Sequence, residues 1–283
     1  MPATRRTAVY PARYGSCTLV DHGGLEISDA KFVAIYWNGA VANATATSTL
    51  QGVHYATVKD QMHAFVSRFA DNANWDGSAS DDFTIVQQYG SRSPIANSLP
   101  FFHADVVDTR ATSGTIRDSQ IQSYLGSLFA SSNPAVHLDP DPSVIYGIYF
   151  PPGMTIRLGG ASCSSFCGYH NHFQYAGVQI KYAAFPYLNC SACKISSLTV
   201  ADMLTIVTSH EIREAVTDPG DFSQNAWYDR LGYEADDKCA WHNLYQMSQG
   251  GFFLQPEYSN GGTRTGSGIT TTWPGPGCVV PNR

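Results

Sequence analysis

One long segment, CKISSLTVADMLTIVTSHEIREAVTDP, restricts the possible folds of this chain more than any other feature. Apolar residues recur in it at helical spacing, among them Leu198 and Leu204, and Pro219 with the glycine after it ends the pattern. Ser196 or Ser197 is the predicted N-cap. The resulting helix of about 18 residues is long enough to be the central element of a domain.

The second half of this helix contains His210-Glu211-x-x-Glu214. Because each helical residue advances by about 100°, His210 and Glu214 project from one face about 40° apart and can bind one ion. Glu211 lies beside this pair, where a base acting on metal-activated water is needed. Zinc accepts carboxylate oxygen as readily as imidazole nitrogen. The alternative is a solvated helix end whose acids pair with Arg213.

A third metal ligand is expected from the segment YEADDKC, residues 233–239. Glu234 supplies it, and Asp237 is placed to orient His210 through its second ring nitrogen. Acids gathered in this way raise one another's pKa values unless a cation is present. Zinc is the expected metal because His210 is among the ligands, whereas calcium, the main alternative, prefers shells of oxygen alone.

His170 and His172 lie two residues apart on a predicted strand and therefore share one face. Such a pair is more typical of packing than of ligation. We keep His170 as an alternative metal ligand in place of Glu234, or as a donor to a transition-state oxyanion. Tyr228 or Tyr169 would serve that second role equally well.

The composition points to an exported protein without nucleic-acid or membrane-spanning functions. Charged residues make up only 14% of the chain, against about 25% in an average globular protein. The net charge is -6, and the basic residues form no run that would follow a phosphate backbone. No stretch of about 18 apolar residues exists, and the N-terminal segment lacks the apolar region of a signal peptide. We expect secretion, with the signal absent from this sequence.

The seven cysteines favour disulfides over a zinc ribbon or a thioredoxin-type redox motif. Only one pair has the CxxC spacing of a ribbon, and no βαβ pattern follows it. The predicted bonds are Cys239–Cys278, Cys190–Cys193 and Cys163–Cys167. This leaves Cys17 free. The two local bonds close tight loops and are the less secure predictions.

Strand and helix signals alternate through the first half, which indicates an α/β fold. The predicted strands are residues 31–40, 81–90 and 142–153, and the predicted helices are residues 57–72 and 115–132. Residues 168–187 read as a hairpin that turns at Ala176 and Gly177. Beyond residue 220 the chain is rich in glycine, asparagine and aromatic residues and has few helical signals.

The segment HEIREAVTDP resembles the active-site helix of thermolysin-like gluzincins, in which His-Glu-x-x-His is followed by Ala-Val-Thr. That family takes its third ligand from a later glutamate with an aspartate close behind it. The resemblance implies metal or base roles for His210, Glu211 and Glu234. Glu214 departs from the pattern, and the added negative charge weakens the expected Lewis acid.

A second resemblance covers roughly residues 140–280 and is carried by several motifs together. These are Cys167-Gly168-Tyr169-His170, the CxxC at 190–193, His210-Glu211-x-x-Glu214 with Thr217 and Pro219, Ala226-Trp227-Tyr228, Glu234-x-x-Asp237-x-Cys239, FFLQPEYSN and Cys278. The set is similar to the EXORDIUM family of plant cell-wall, phosphate-induced proteins and their microbial relatives. That family also has glutamate at the 214 position, and its members are secreted, but the resemblance implies no particular biochemical activity.

We therefore expect an α/β fold of zincin-like type: a mixed sheet with an edge hairpin, a central metal-binding helix and a loop-rich C-terminal lobe. The predicted lobes are residues 1–195 and 196–283. The predicted function is a secreted zinc-dependent hydrolase, with a peptidase as the leading case and a peptide or protein as substrate. The alternative is a non-catalytic extracellular protein in which the metal is structural and an aromatic surface binds wall glycans or a receptor.

Overall fold

The computed structural model describes residues 7–15, 17–69, 83–90, 95, 102–111, 114–220, 225–266 and 269–281. It has a mixed α/β architecture with several sheets and few helices. Its residues form two compact units. We call them the sheet unit, Lys31–Val66 with Phe102–Thr208, and the terminal unit, Met1–Ala30 with Ser67–Phe101 and Ser209–Arg283. Each unit combines segments distant in sequence, and the lobe boundary at residues 195 and 196 stays a prediction.

The strands and helices are numbered in chain order. The strands are β1 (Ala8–Tyr10), β2 (Val20–Asp21), β3 (Lys31–Trp37), β4 (Thr49–Leu50), β5 (Val53–His54), β6 (Phe102–Asp108), β7 (Thr115–Arg117), β8 (Val144–Tyr149), β9 (Thr155–Leu158), β10 (Gly160–Ala161), β11 (Tyr169–Tyr175), β12 (Val178–Phe185), β13 (Trp227–Tyr228), β14 (Tyr245–Gln246), β15 (Phe253–Leu254), β16 (Glu257–Ser259), β17 (Gly262–Gly266), β18 (Ile269–Trp273) and β19 (Gly277–Val280). The helices are α1 (Gly39–Ala42), α2 (Val58–Phe69), α3 (Asp118–Phe129) and α4 (Val200–Thr217), and 3-10 turns cover Thr84–Tyr89, Ser191–Cys193 and Asp237–Cys239.

The sheet unit is built on a five-stranded sheet in the order β11-β12-β8-β3-β6. Strands β12, β8, β3 and β6 are parallel, and β11 joins them antiparallel at one edge. Strand β8 is buried at every position, as expected for an inner parallel strand. Leu125 and Leu128 of helix α3 belong to the same buried apolar cluster as Val33 and Ile35 of β3. The predicted mixed sheet is confirmed.

The predicted hairpin at 168–187 is also confirmed. Strands β11 and β12 pair from Tyr169 with Ala184 to Tyr175 with Val178. Ala176 and Gly177 form the turn with φ of 48° and 85°. Positive φ at both central residues is the backbone form that matches the twist of a two-residue hairpin. Among the described residues β11 has a neighbour on one side only, so the hairpin lies at the edge of this sheet.

Helix α4 runs over the 18 residues Val200–Thr217, so its predicted length is confirmed, but the predicted N-cap is wrong. The cap is Thr199: its Oγ1 accepts the Asp202 N–H at 3.3 Å, and the Asp202 carboxylate accepts the Thr199 N–H at 3.0 Å. Asp202 also accepts hydrogen bonds from Ser48 and Gln61. This reciprocal box satisfies donors that a serine further upstream would not reach.

Residues 84–89 form a 3-10 turn where the sequence predicted a strand over 81–90. Phe83, Val86 and Tyr89 are buried, and their spacing of three fits a 3-10 turn, in which every third side chain shares a face. The Tyr89 hydroxyl donates to the Tyr258 carbonyl at 2.6 Å, which ties this segment to β16. The apolar composition of this segment correctly predicts burial. Its spacing, however, is that of a 3-10 turn and not that of a strand.

Three disulfides form, and one of the three predicted pairings is confirmed. Cys239 bonds Cys278, and Cys17 is free, both as predicted. The local pairs Cys163–Cys167 and Cys190–Cys193 are wrong, because the bonds are Cys163–Cys190 and Cys167–Cys193.

The hairpin explains this exchange of partners. Antiparallel pairing of Tyr169 with Ala184 brings the segments that flank the hairpin together. Cys163 and Cys190 lie equally far outside this pair, and their Cα atoms are 5.8 Å apart, within the range for a disulfide. Bonds across the hairpin also close longer loops than bonds within each flank, which stabilises the fold more.

The terminal unit is made of small sheets and loops. Strands β1, β19 and β16 form a three-stranded antiparallel sheet, and β2 pairs with β13. Its core contains Leu19, Tyr89 and Tyr258 around the Cys239–Cys278 bond. Among the described residues, no helix has both the length and the apolar character that a membrane crossing requires.

Candidate metal centre

Helix α4 is buried along its whole length except at His210. Glu211 and Glu214 are only 4% and 3% exposed, whereas the His210 side chain retains 15%. A helix enclosed on all sides is a core helix and not a solvated end, so the alternative of a surface ion-pair network is excluded. The acids stand inside the protein despite the free-energy cost of burying charge.

His210 and Glu214 meet across one helical turn. Nε2 of His210 lies 3.0 Å from Oε2 of Glu214. One ring nitrogen of His210 and one carboxylate oxygen from each of Glu211 and Glu214 all lie within 4.8 Å of one another. Three potential ligand atoms at such separations are close enough for one metal ion to contact all of them.

The segment after α4 adds Glu234 and Asp237 to this group. A carboxylate oxygen of half-buried Glu234 lies within 4.8 Å of one from Glu214. The backbone N–H of Asp237 donates to Oε1 of Glu214 at 2.9 Å and fixes that carboxylate. The Asp237 carboxylate lies 3.7 Å from Nε2 of His210, the same nitrogen that faces Glu214. It is therefore not the group on the second ring nitrogen.

That second nitrogen is held by Gln255. The amide nitrogen of Gln255 lies 3.1 Å from Nδ1 of His210 and donates to the Asp236 carbonyl at 2.8 Å. A carbonyl only accepts, so this atom must be the amide nitrogen, and Nδ1 is the acceptor. A neutral His210 then carries its proton on Nε2 and donates it to Glu214. The orienting role predicted for Asp237 belongs to Gln255 in this structure.

The pKa values of Glu214, Glu234 and His210 are all raised, so each side chain retains its proton to a higher pH. Burial raises the pKa of Glu214 to about 7, with Asp237 adding to the effect and His210 opposing it. Burial, followed by Glu214 and Asp218, raises the pKa of Glu234 well above its ordinary value. Burial alone would lower the pKa of His210, but Glu214 and Glu211 outweigh it and raise that pKa. The cluster thus holds protons that a divalent cation would displace.

The nearest buried basic residues are engaged with other acids. Arg213 lies 2.9 Å from Asp236 and 3.6 Å from Glu257, and all three side chains are buried. Lys238 lies 2.7 Å from Asp229 inside the same unit. Arg213 and Lys238 each therefore have an acid partner outside the group of Glu211, Glu214 and Glu234.

The remaining predicted site residues are His170, Tyr169 and Tyr228. His170 is on β11 of the sheet unit, paired in register with Ala183. The Tyr169 hydroxyl donates to Asp118 at 2.7 Å in the same unit. Tyr228, in the terminal unit, stacks on His22 with ring centroids 3.6 Å apart. Their proposed roles in oxyanion stabilisation or ligation stay predictions.

The sequence patterns did not identify Gln255 and Asp236 as members of the site. Gln255 lies between β15 and β16, 45 residues from His210, within the segment FFLQPEYSN. Asp236 stands in the ligand segment itself but turns to Arg213. A polar residue within an otherwise apolar and aromatic run was the available signal, because buried polar groups need partners.

No family model, curated protein or solved structure matches this chain.

Proposed function

We propose that this protein is a secreted zinc-dependent hydrolase, most simply a peptidase. The observation that carries the proposal is the buried group of His210, Glu211 and Glu214, whose ligand atoms lie within 4.8 Å of one another. Acids at this depth need a compensating cation. Imidazole with carboxylates is a donor set typical of zinc; calcium is the alternative ion.

In this proposal His210, Glu214 and Glu234 hold the metal. The resemblance to gluzincins implies His210 and Glu234, and helical spacing adds Glu214. Zinc in such a site polarises a carbonyl group and makes water more acidic. Glu211 accepts a proton from the attacking water and delivers it to the leaving amine nitrogen. The Asp237 N–H donates to the Glu214 carboxylate, and the Gln255 amide contacts Nδ1 of His210.

Extracellular location and a zincin-like fold belong to the same proposal. Three disulfides are typical of proteins that mature in an oxidising compartment. The mixed sheet with an antiparallel edge strand offers an edge to which an extended peptide would add as a further strand. A peptide or protein is therefore the proposed substrate class.

The test distinguishes the metal ligand Glu214 from the general base Glu211. Wild-type protein from metal-replete medium should contain about one zinc per chain by elemental analysis. Glu211→Gln should keep zinc and fold but reduce casein cleavage by about 10²- to 10⁴-fold. Glu214→Ala should lose zinc, whereas Glu214→His should retain it. Each variant is assayed from pH 3 to 8 with a chelator control.

The competing function is a non-catalytic extracellular protein with a structural metal and a surface that binds cell-wall glycans. It is favoured if the wild type holds zinc in a closed four-ligand shell and cleaves no peptide in a chelator-sensitive manner. Calcium alone, or no metal at all, would rule out the zinc mechanism.

A further inference from the structure

Two arginines stand side by side on one face of the small sheet β10-β9-β7 in the sheet unit. Strands β7 and β9 are parallel, and Arg117 is the register partner of Arg157. Ile116 and Ile156 of the same strands are buried, so alternation places both arginines on the opposite, exposed face. The two positive charges are therefore direct cross-strand neighbours.

This arrangement is unfavourable unless something neutralises it, because like charges directly opposite each other destabilise a sheet. Among the described residues, neither guanidinium group forms an ion pair. The adjacent carboxylate, Asp118, is engaged elsewhere: the hydroxyls of Tyr169 and Tyr182 donate to its Oδ1 at 2.7 and 2.5 Å. Asp118 therefore lowers the local positive charge without pairing with either arginine.

The pair lines an open surface cavity of about 440 Å³. Its other lining residues are Asp118, Ser119, Leu158, Gly159 and Gly160. Gly159 has φ of 64°, a left-handed conformation that favours glycine, and a Cβ there would meet nothing within 4 Å. The backbone thus leaves this side of the cavity open beside the two guanidinium groups.

We propose that this cavity binds a tetrahedral dianion, a sulfate or phosphate group. Each guanidinium presents a planar fork of donors that matches two oxygens of such an anion, and two forks match its double charge. The Ser119 side chain adds a further possible donor. Two charge-assisted contacts of this kind support a Kd of about 1 mM. The site lies wholly in the sheet unit and does not depend on the proposed metal.

The probes are sodium sulfate, sodium phosphate and a monosaccharide 6-sulfate. Sodium chloride keeps the ionic strength constant, and EDTA excludes metal-mediated binding. Wild-type Tm should rise with each probe, and calorimetry should give saturable binding. Arg117→Gln and Arg157→Gln should each raise Kd about tenfold or more. Arg110→Gln is the control, since that exposed arginine is paired with Asp108 at 2.7 Å.

A second readout separates a binding role from a structural one. Without anion, Arg117→Gln and Arg157→Gln should unfold at the same temperature as wild type or higher, because they remove a repulsion. Tighter binding of the sugar ester identifies an esterified group as the ligand, and equal affinity identifies the free ion. The proposal is overturned if wild type gains no stability from either dianion, if the double variant gains as much, or if acetate binds equally well.

Discussion

The amide nitrogen of Gln255 lies 3.1 Å from Nδ1 of His210 and makes that nitrogen the acceptor in the neutral ring. A metal on Nε2 requires the opposite tautomer, with the proton on Nδ1. The Gln255 amide would then have to turn over, and its oxygen would face the Asp236 carbonyl that it now bonds through nitrogen. Metal uptake at His210 is therefore linked to the orientation of one amide far away in sequence.

Gln255→Glu should tighten zinc binding by about tenfold, because a carboxylate accepts the Nδ1 proton and leaves Nε2 free. It should also lower the free energy of unfolding of the metal-free protein, since the new charge lies beside Asp236. Competition with a chromophoric chelator measures the affinity. Gln246→Glu, at an exposed position of β14, controls for added charge. Equal zinc affinity in the two variants would contradict the link.

Thr199→Ala should lower the free energy of unfolding by about 0.5 to 2 kcal/mol, because it removes the side chain that caps α4. Ser196→Ala is the matched control and should change stability by less than about 0.5 kcal/mol. Urea denaturation followed by circular dichroism gives both values. If the serine variant were the more destabilised, the cap would lie upstream, as the sequence first suggested.

The Asp229–Lys238 pair predicts a pH dependence of stability. Burial alone would raise the pKa of Asp229, but hydrogen bonds from Lys238, Leu231 and Tyr233 outweigh it and lower that pKa. Its contribution is therefore complete above the unfolded-state pKa of about 4 and is lost as pH falls through the lower folded-state value. Breaking such a buried pair costs about 3 to 5 kcal/mol.

Asp229→Asn should accordingly have a lower free energy of unfolding than wild type, by a constant amount between about pH 7 and 5. This difference in free energy should become smaller below about pH 4. Asp139→Asn, at a side chain that is 94% exposed, is the control and should show no such gap. Denaturant unfolding at each pH measures the difference. A gap that widened toward low pH would reverse the sign assigned to Asp229.

Replacing both Cys239 and Cys278 with serine should lower the free energy of unfolding by up to about 4 kcal/mol, given a sequence separation of 39 residues. Cys17→Ser, at the free cysteine, should have little effect. Non-reducing peptide mapping of the wild type should also link Cys163 to Cys190 and Cys167 to Cys193. A peptide in which Cys163 is joined to Cys167 would refute the pairing across the hairpin.

Local sequence patterns correctly predicted the elements whose form depends on residues close together in the chain. The hairpin at β11 and β12 was readable because its turn residues, Ala176 and Gly177, separate two alternating arms. Helix α4 was readable from its apolar period and from Pro219. The close approach of His210 and Glu214 also follows from helical spacing alone.

What the sequence did not reveal depends on contacts between distant segments. The turn at 84–89 is tied to β16 by the hydrogen bond from Tyr89 to Tyr258, a contact between distant segments that the sequence does not show. Disulfide partners depend on which flanks the hairpin brings together, and the local spacing of cysteines carries no information about that. Gln255 contacts His210 across 45 residues of intervening sequence, so spacing along the chain could not assign it.

The overlapping disulfides beside the edge hairpin also determine how the chain transmits mechanical force. A pull along the backbone that reaches Cys163 can pass through the sulfur bridge to Cys190 without loading the strands between them, and Cys167–Cys193 offers a parallel route. Strands β11 and β12 are therefore shielded from tension while the bridges are intact. In single-molecule stretching, this segment should add its full contour length only after a reducing agent is introduced.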